Sequence, residues 1–78
     1  MKILAFGIAK EIVGGSSVDL ELAGEKKVEV LREYLNNQYP ALKRLSSYLI
    51  AVNDEYANAD MTINERDEIA IIPPVSGG

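Results

Sequence analysis

The 78-residue chain contains neither cysteine nor histidine. Without cysteine there is no disulfide framework, no thiolate metal site and no nucleophilic thiol. Without histidine the commonest general base at neutral pH and the commonest zinc ligand are both gone. The chain is therefore not expected to be an enzyme on its own or to bind a metal. Excess positive charge is missing too, since eight Lys and Arg against twelve Asp and Glu leave a net charge of −4. Nucleic-acid affinity draws on clustered Lys and Arg, so a phosphate-backbone partner is not expected; a basic protein surface suits the chain better. Long apolar runs are also lacking. The stretch Met1 to Ala9 is too short to span a bilayer and shows no signal-peptide cleavage pattern. A cytoplasmic protein with no membrane partner is the expectation.

What is present is a tail. The sequence ends Pro73-Pro74-Val75-Ser76-Gly77-Gly78. Glycine lacks a Cβ and passes through narrow spaces with backbone angles closed to other residues. The two prolines favour an extended lead-in and continue neither a helix nor a central strand. Six such residues reach about 20 Å at about 3.3 Å each. The bland alternative is a frayed terminus.

The length suits one domain over residues 1–78, with residues 73–78 as its extended tail. Lys2 to Ile8 reads as a strand, and Val18 to Leu22 alternates apolar with polar at period two. Gly14-Gly15-Ser16-Ser17 between them reads as a loop. From Lys26 to Gln38 the period becomes helical, with Val28, Leu31 and Leu35 on one face, until Pro40 ends it. Ala41 to Tyr48 fits a short helical turn or loop. Leu49 to Asn53 and Tyr56-Ala57 flank a turn at Asp54-Glu55, and Glu68 to Ile72 is a last strand stopped by Pro73. The order predicts an α+β, β-grasp (ubiquitin-like) fold: a mixed sheet of about five strands with one main helix on one face.

Strand parity assigns the faces. Ile3 and Ala5, with Ile69 and Ile71, point to the helix; Leu4 and Phe6, with Ala70 and Ile72, point to the open side. Phe6, Ile72 and Tyr56 are thus candidates for a docking surface beside the tail, with Lys10 as a rim contact. Scattered exposed apolar residues need no function, whereas a contiguous patch marks a partner surface. Both readings stand at this point.

The chain resembles the family of small sulfur-carrier subunits of molybdopterin synthase along nearly its whole length. The resemblance rests on Phe6-Gly7-Ile8-Ala9-Lys10-Glu11-Ile12-Val13-Gly14, on Ala51-Val52-Asn53, and above all on Asp67 to Ile72 followed by Pro73-Pro74-Val75-Ser76-Gly77-Gly78. It implies that an ATP-dependent adenylating enzyme activates the Gly78 carboxylate and that a sulfur donor converts it to a thiocarboxylate. The tail, Pro73 through Gly77, then enters the large catalytic subunit, where sulfur passes to a cyclic pyranopterin monophosphate to build the molybdopterin dithiolene. A carboxylate of reference pKa about 3.5 is ionised at pH 7 and a poor electrophile, which is why activation is needed. No cofactor bound by this chain is implied; sulfur rides on Gly78.

Family members often carry glycine where this chain has Asp54 and Arg66, which leaves both turn types open, and aromatic residues where it has Ile71 and Ile72. Terminal Gly-Gly is shared with ubiquitin-like protein modifiers and with carriers for thiazole synthesis or tRNA thiolation, which remain alternatives. Other features carry no chemistry. Asp67 and Glu68 suit a turn and the start of a strand, Lys43 and Arg44 are solvated charges, and Gly14-Gly15 lacks phosphate-loop spacing.

Overall fold

The computed structural model describes residues 1–22, 24–45 and 47–74. The strands are β1 (Lys2–Ala5), β2 (Ser17–Asp19), β3 (Leu49–Val52), β4 (Glu55–Tyr56) and β5 (Ile69–Ile72). The helices are α1 (Ile8–Val13), α2 (Val28–Gln38) and α3 (Pro40–Lys43). The strands form one mixed sheet in the order β2-β1-β5-β3-β4. Its central pair, β1 and β5, is parallel, and every other pairing is antiparallel. This is the β-grasp arrangement that the order of elements predicts.

Register explains the core. Ile3 pairs with Ile69 and Ala5 with Ile71 across β1–β5, while Ile50 meets Ile71 and Val52 meets Ile69 across β3–β5. Successive strand residues alternate faces, so these six side chains share one side of the sheet. All are buried there with Val28, Leu31 and Leu35 of α2. Each such large aliphatic side chain is worth about 1.5–3 kcal/mol when fully buried.

Helix α2 starts at Lys27 without a side-chain cap. Its first amides are satisfied instead by a loop, with Val28 N–H donating to the Met61 carbonyl at 3.0 Å and Glu29 N–H to the Ala59 carbonyl at 2.8 Å. The same loop buries Ile63 and bonds its amide to the Lys26 carbonyl. At the other end Tyr39, the residue before Pro40, leaves helical geometry at φ −128°, ψ 83°. Pro40 then opens α3 at a first-turn position where a missing N–H costs nothing.

Three boundaries differ from expectation. The first strand stops at Ala5, and Ile8 to Val13 is a helix whose Ala9 is buried and whose Ile12 and Val13 are half-buried. Those positions follow the i, i+3, i+4 spacing of a helix face. Gly14 ends α1 in the left-handed region, at φ 85°, with its N–H on the Lys10 carbonyl. The second strand is shorter and earlier than Val18 to Leu22; Leu20 and Leu22 are buried beyond its end. The β3–β4 turn sits at Asn53-Asp54, one residue before its expected place, and both residues have positive φ, 53° and 67°. Two left-handed residues are what a tight hairpin matching strand twist requires. Asp54 thus occupies the geometry that glycine favours. Arg66 has no positive φ, so no glycine is needed there.

Candidate functional site

The sheet face turned away from α2 is apolar at its centre. Leu4 aligns with Ala70, Ala70 with Ala51, and Ala51 with Tyr56, making one row across four strands. Two alanines in the middle keep this row low, and the larger Leu4 and Tyr56 stand at its ends. The result is a depression of about 270 Å³ whose lining includes Phe6, Ile72 and Tyr56 together. Phe6 is 51% exposed and Tyr56 69%, while Ile72 is half-buried. Lys10 does not line it. It borders a neighbouring depression on the other side of Leu4 and Phe6, which makes it a flanking group. Leu49, which no sequence signal singles out, lies opposite Ile72 in the register and is 46% exposed. The only available signal was parity with Ile50 and Val52, and an unbroken run of apolar residues conceals parity.

Asp54 and Glu68 complete the depression at the hairpin end, giving it an acidic margin. Their placement depends on Asn53. Its side-chain N–H donates to the Asp67 carboxylate at 3.0 Å, and its side-chain oxygen accepts from the Glu68 amide at 2.9 Å. Its backbone N–H donates to the Glu68 carbonyl at 2.7 Å. Asp67 also accepts from the Asn64 amide at 2.8 Å. That backbone N–H first, and the Asn53 amide second, hold the Asp67 carboxyl below its ordinary range. Asp67 and Glu68 are therefore a turn clasp and a strand start.

The chain leaves the sheet beside this face. Phe6 N–H donates to the Ile71 carbonyl at 3.3 Å, which ties the start of the β1–α1 turn to the end of β5. Pro73 follows, half-buried with its ring against Gly7, and Pro74 is exposed. Proline has no N–H to extend the ladder, so β5 ends where the tail begins. The tail positions Val75, Ser76, Gly77 and Gly78 lie outside the described residues. Among the described residues, no group of three or more Asp and Glu could hold a metal ion, and no helix is long and apolar enough to cross a membrane. The arrangement is an open apolar face next to a chain exit.

Comparison with known proteins places this surface in context. Residues 3–78 match the profile of the ThiS family. The molybdopterin synthase sulfur carrier subunit of Dictyostelium discoideum is 45% identical over 82 residues, covering 99% of this chain and 94% of that one. Among solved structures, small archaeal modifier protein 1 from Methanosarcina acetivorans superposes with a TM-score of 0.77. It is 29% identical, with 99% and 94% of the two chains covered. A chain from the complex of subunits 1 and 2 of the Helicobacter pylori molybdopterin-converting factor shares the fold with a TM-score of 0.67. Its identity is 23%, with 99% and 96% covered.

Proposed function

The chain belongs to the ThiS family, and from that premise we propose that it is the sulfur-carrying small subunit of a molybdopterin synthase. The observation that carries the reading is a coincidence of place. An open apolar face and the exit of a chain ending in Gly77-Gly78 meet at Phe6-Gly7. Docking on the face brings the terminus to a partner's active site without asking the carrier for any chemistry of its own.

The steps are those of acyl activation. An adenylating enzyme lets the Gly78 carboxylate oxygen attack the α-phosphorus of ATP, expelling pyrophosphate and forming an acyl adenylate. Sulfide supplied by the sulfur donor attacks the acyl carbon, AMP leaves with the bonding electrons, and loss of the sulfur's proton leaves a thiocarboxylate. In the large subunit the thiocarboxylate sulfur displaces an oxygen substituent of the cyclic pyranopterin monophosphate to form a thioester. Water then attacks the acyl carbon, breaking the acyl C–S bond, leaving sulfur on the pterin and returning Gly78 to a carboxylate. Acid–base groups for these steps come from the partners, in keeping with a sequence that has no histidine or cysteine. Phe6, Ile72, Tyr56 and Leu49 form the contact surface, Lys10 flanks it, and the cytoplasm is the setting. The reading is tested by intact mass after incubation with ATP, adenylating enzyme and sulfur donor. An oxygen-to-sulfur gain confined to the C-terminal peptide is expected, and none after removal of Gly78. A wild-type chain that gains no sulfur refutes it.

A second reading, covalent attachment of Gly78 to lysines of other proteins, draws on the likeness to the archaeal modifier. It begins with the same adenylate. Lysine-linked adducts instead of a thiocarboxylate in that incubation would favour it.

A further inference from the structure

Two facts converge on Gly7. Its backbone sits at φ 55°, ψ −135°, a region that L side chains rarely adopt. A Cβ built on it would also lie 3.0 Å from Pro73 Cγ and 3.9 Å from Pro73 Cδ. Ordinary carbon–carbon contact is about 3.5–4.0 Å, so the ring occupies the space a side chain would take. A pyrrolidine ring yields poorly, because its Cδ is bonded to its own backbone nitrogen and moving the ring moves the chain. The backbone at Gly7 is held on both sides. Its carbonyl accepts the Lys10 N–H at 3.1 Å, and the neighbouring Phe6 is bonded to the Ile71 carbonyl, two residues before Pro73.

We infer that Gly7 is a positioning residue for the C-terminus: its bare Cα is the seat for Pro73, and that seat sets the direction in which the chain leaves β5. The inference deepens the carrier reading and rests on it for its functional consequence. A carrier delivers its reacting group on a short tether, and the tether's starting direction decides how often the terminus meets the reacting atom. A displacement at the root, imposed by one methyl group, shifts the point and direction from which the tail starts. Most of the sheet face, carried by Leu4 on β1, Leu49 on β3, Tyr56 on β4 and Ile72 on β5, is built on strands and not on this turn; Phe6 alone adjoins it.

The test compares the wild type, Gly7→Ala, Pro73→Ala and the double variant. The readouts are single-turnover sulfur transfer at saturating large subunit, affinity for that subunit, and thermal melting. For Gly7→Ala the transfer rate should fall about tenfold or more, the scale on which misplacing a reacting group acts, with affinity little changed. Pro73→Ala removes Cγ and Cδ, so the double variant should transfer at the rate of Pro73→Ala alone. An unaltered rate in Gly7→Ala, a double variant slower than Pro73→Ala alone, or a loss confined to affinity would each overturn the inference. Should Gly7→Ala fail to fold, Pro73→Ala alone empties the seat from the other side and must slow transfer at saturating large subunit. A wild type that transfers no sulfur refutes the carrier reading instead. The seat is then judged by NMR, through contacts between Gly7 Hα and Pro73 Hγ and through a change in the Val75 to Gly78 amide signals on Gly7→Ala. Absent contacts or unchanged signals would refute it.

Discussion

Phe6 is the residue on which the docking face is most sharply tested. It is 51% exposed and lies outside the buried core cluster, so changing it alters the surface more than the fold. Full burial of a phenylalanine side chain is worth up to about 3 kcal/mol, so covering its exposed half contributes about 1–1.5 kcal/mol to docking. Replacing it by aspartate removes that gain and places a carboxylate under the partner. Desolvating a polar group without a matching partner adds at least about 2 kcal/mol. Together the penalty is about 3 kcal/mol, or about a 150-fold weaker complex. Two carboxylates, Asp54 and Glu68, already stand at the margin of the same depression, while Lys2 and Lys10 border the neighbouring one. Isothermal titration of Phe6→Asp into the purified large subunit measures the loss, and thermal melting of the free variant checks that the fold persists. Affinity within threefold of wild type, about 0.7 kcal/mol, with the fold intact would refute the assignment of this face.

Three further outcomes follow from the structure. Leu31→Ala empties a fully buried position of α2 and should cost about 2–5 kcal/mol in urea unfolding; a loss under about 1 kcal/mol would mean that the core collapses around it. Asp67 has a folded pKa below its ordinary value near 3.8, so its contribution to stability is present above that value and is lost as pH falls through the folded one. Asp67→Asn should therefore flatten the acid limb of the stability curve, and an unchanged limb would refute the clasp. Asp54→Gly relieves a left-handed non-glycine residue and completes an Asn-Gly hairpin turn, which should raise stability by about 0.5 kcal/mol; a lower melting temperature would show that the Asp54 side chain contributes more than its backbone costs.

What could be read from the sequence followed periodicity. Val28, Leu31 and Leu35 announce a helix face, and alternation in β1 and β5 sorts Ile3, Ala5, Ile69 and Ile71 from Leu4, Phe6, Ala70 and Ile72. The proline stop after Ile72 is equally plain. Helix α1 escaped notice because six residues give under two turns, and Ile8 reads as naturally at the end of a strand. The start of α2 was legible to within two residues, but its cap was not. That cap is backbone borrowed from a loop some thirty residues later, which no local residue type signals. The seat at Gly7 was invisible for the same reason: the residue that needs it, Pro73, is distant in sequence and adjacent only after β1 and β5 pair.

That pairing also determines how the domain bears a load. A partner that draws the terminus inward pulls on β5, the middle strand of the sheet, held by β1 on one side and β3 on the other. Force along a strand meets hydrogen bonds that cross it, so both flanking rows are loaded together in shear and cannot open one bond at a time. An edge strand such as β4 could be peeled; β5 cannot. The tail is rooted on a strand paired on both sides, so a pull on it would be shared by two rows of bonds before the body that carries it began to unfold.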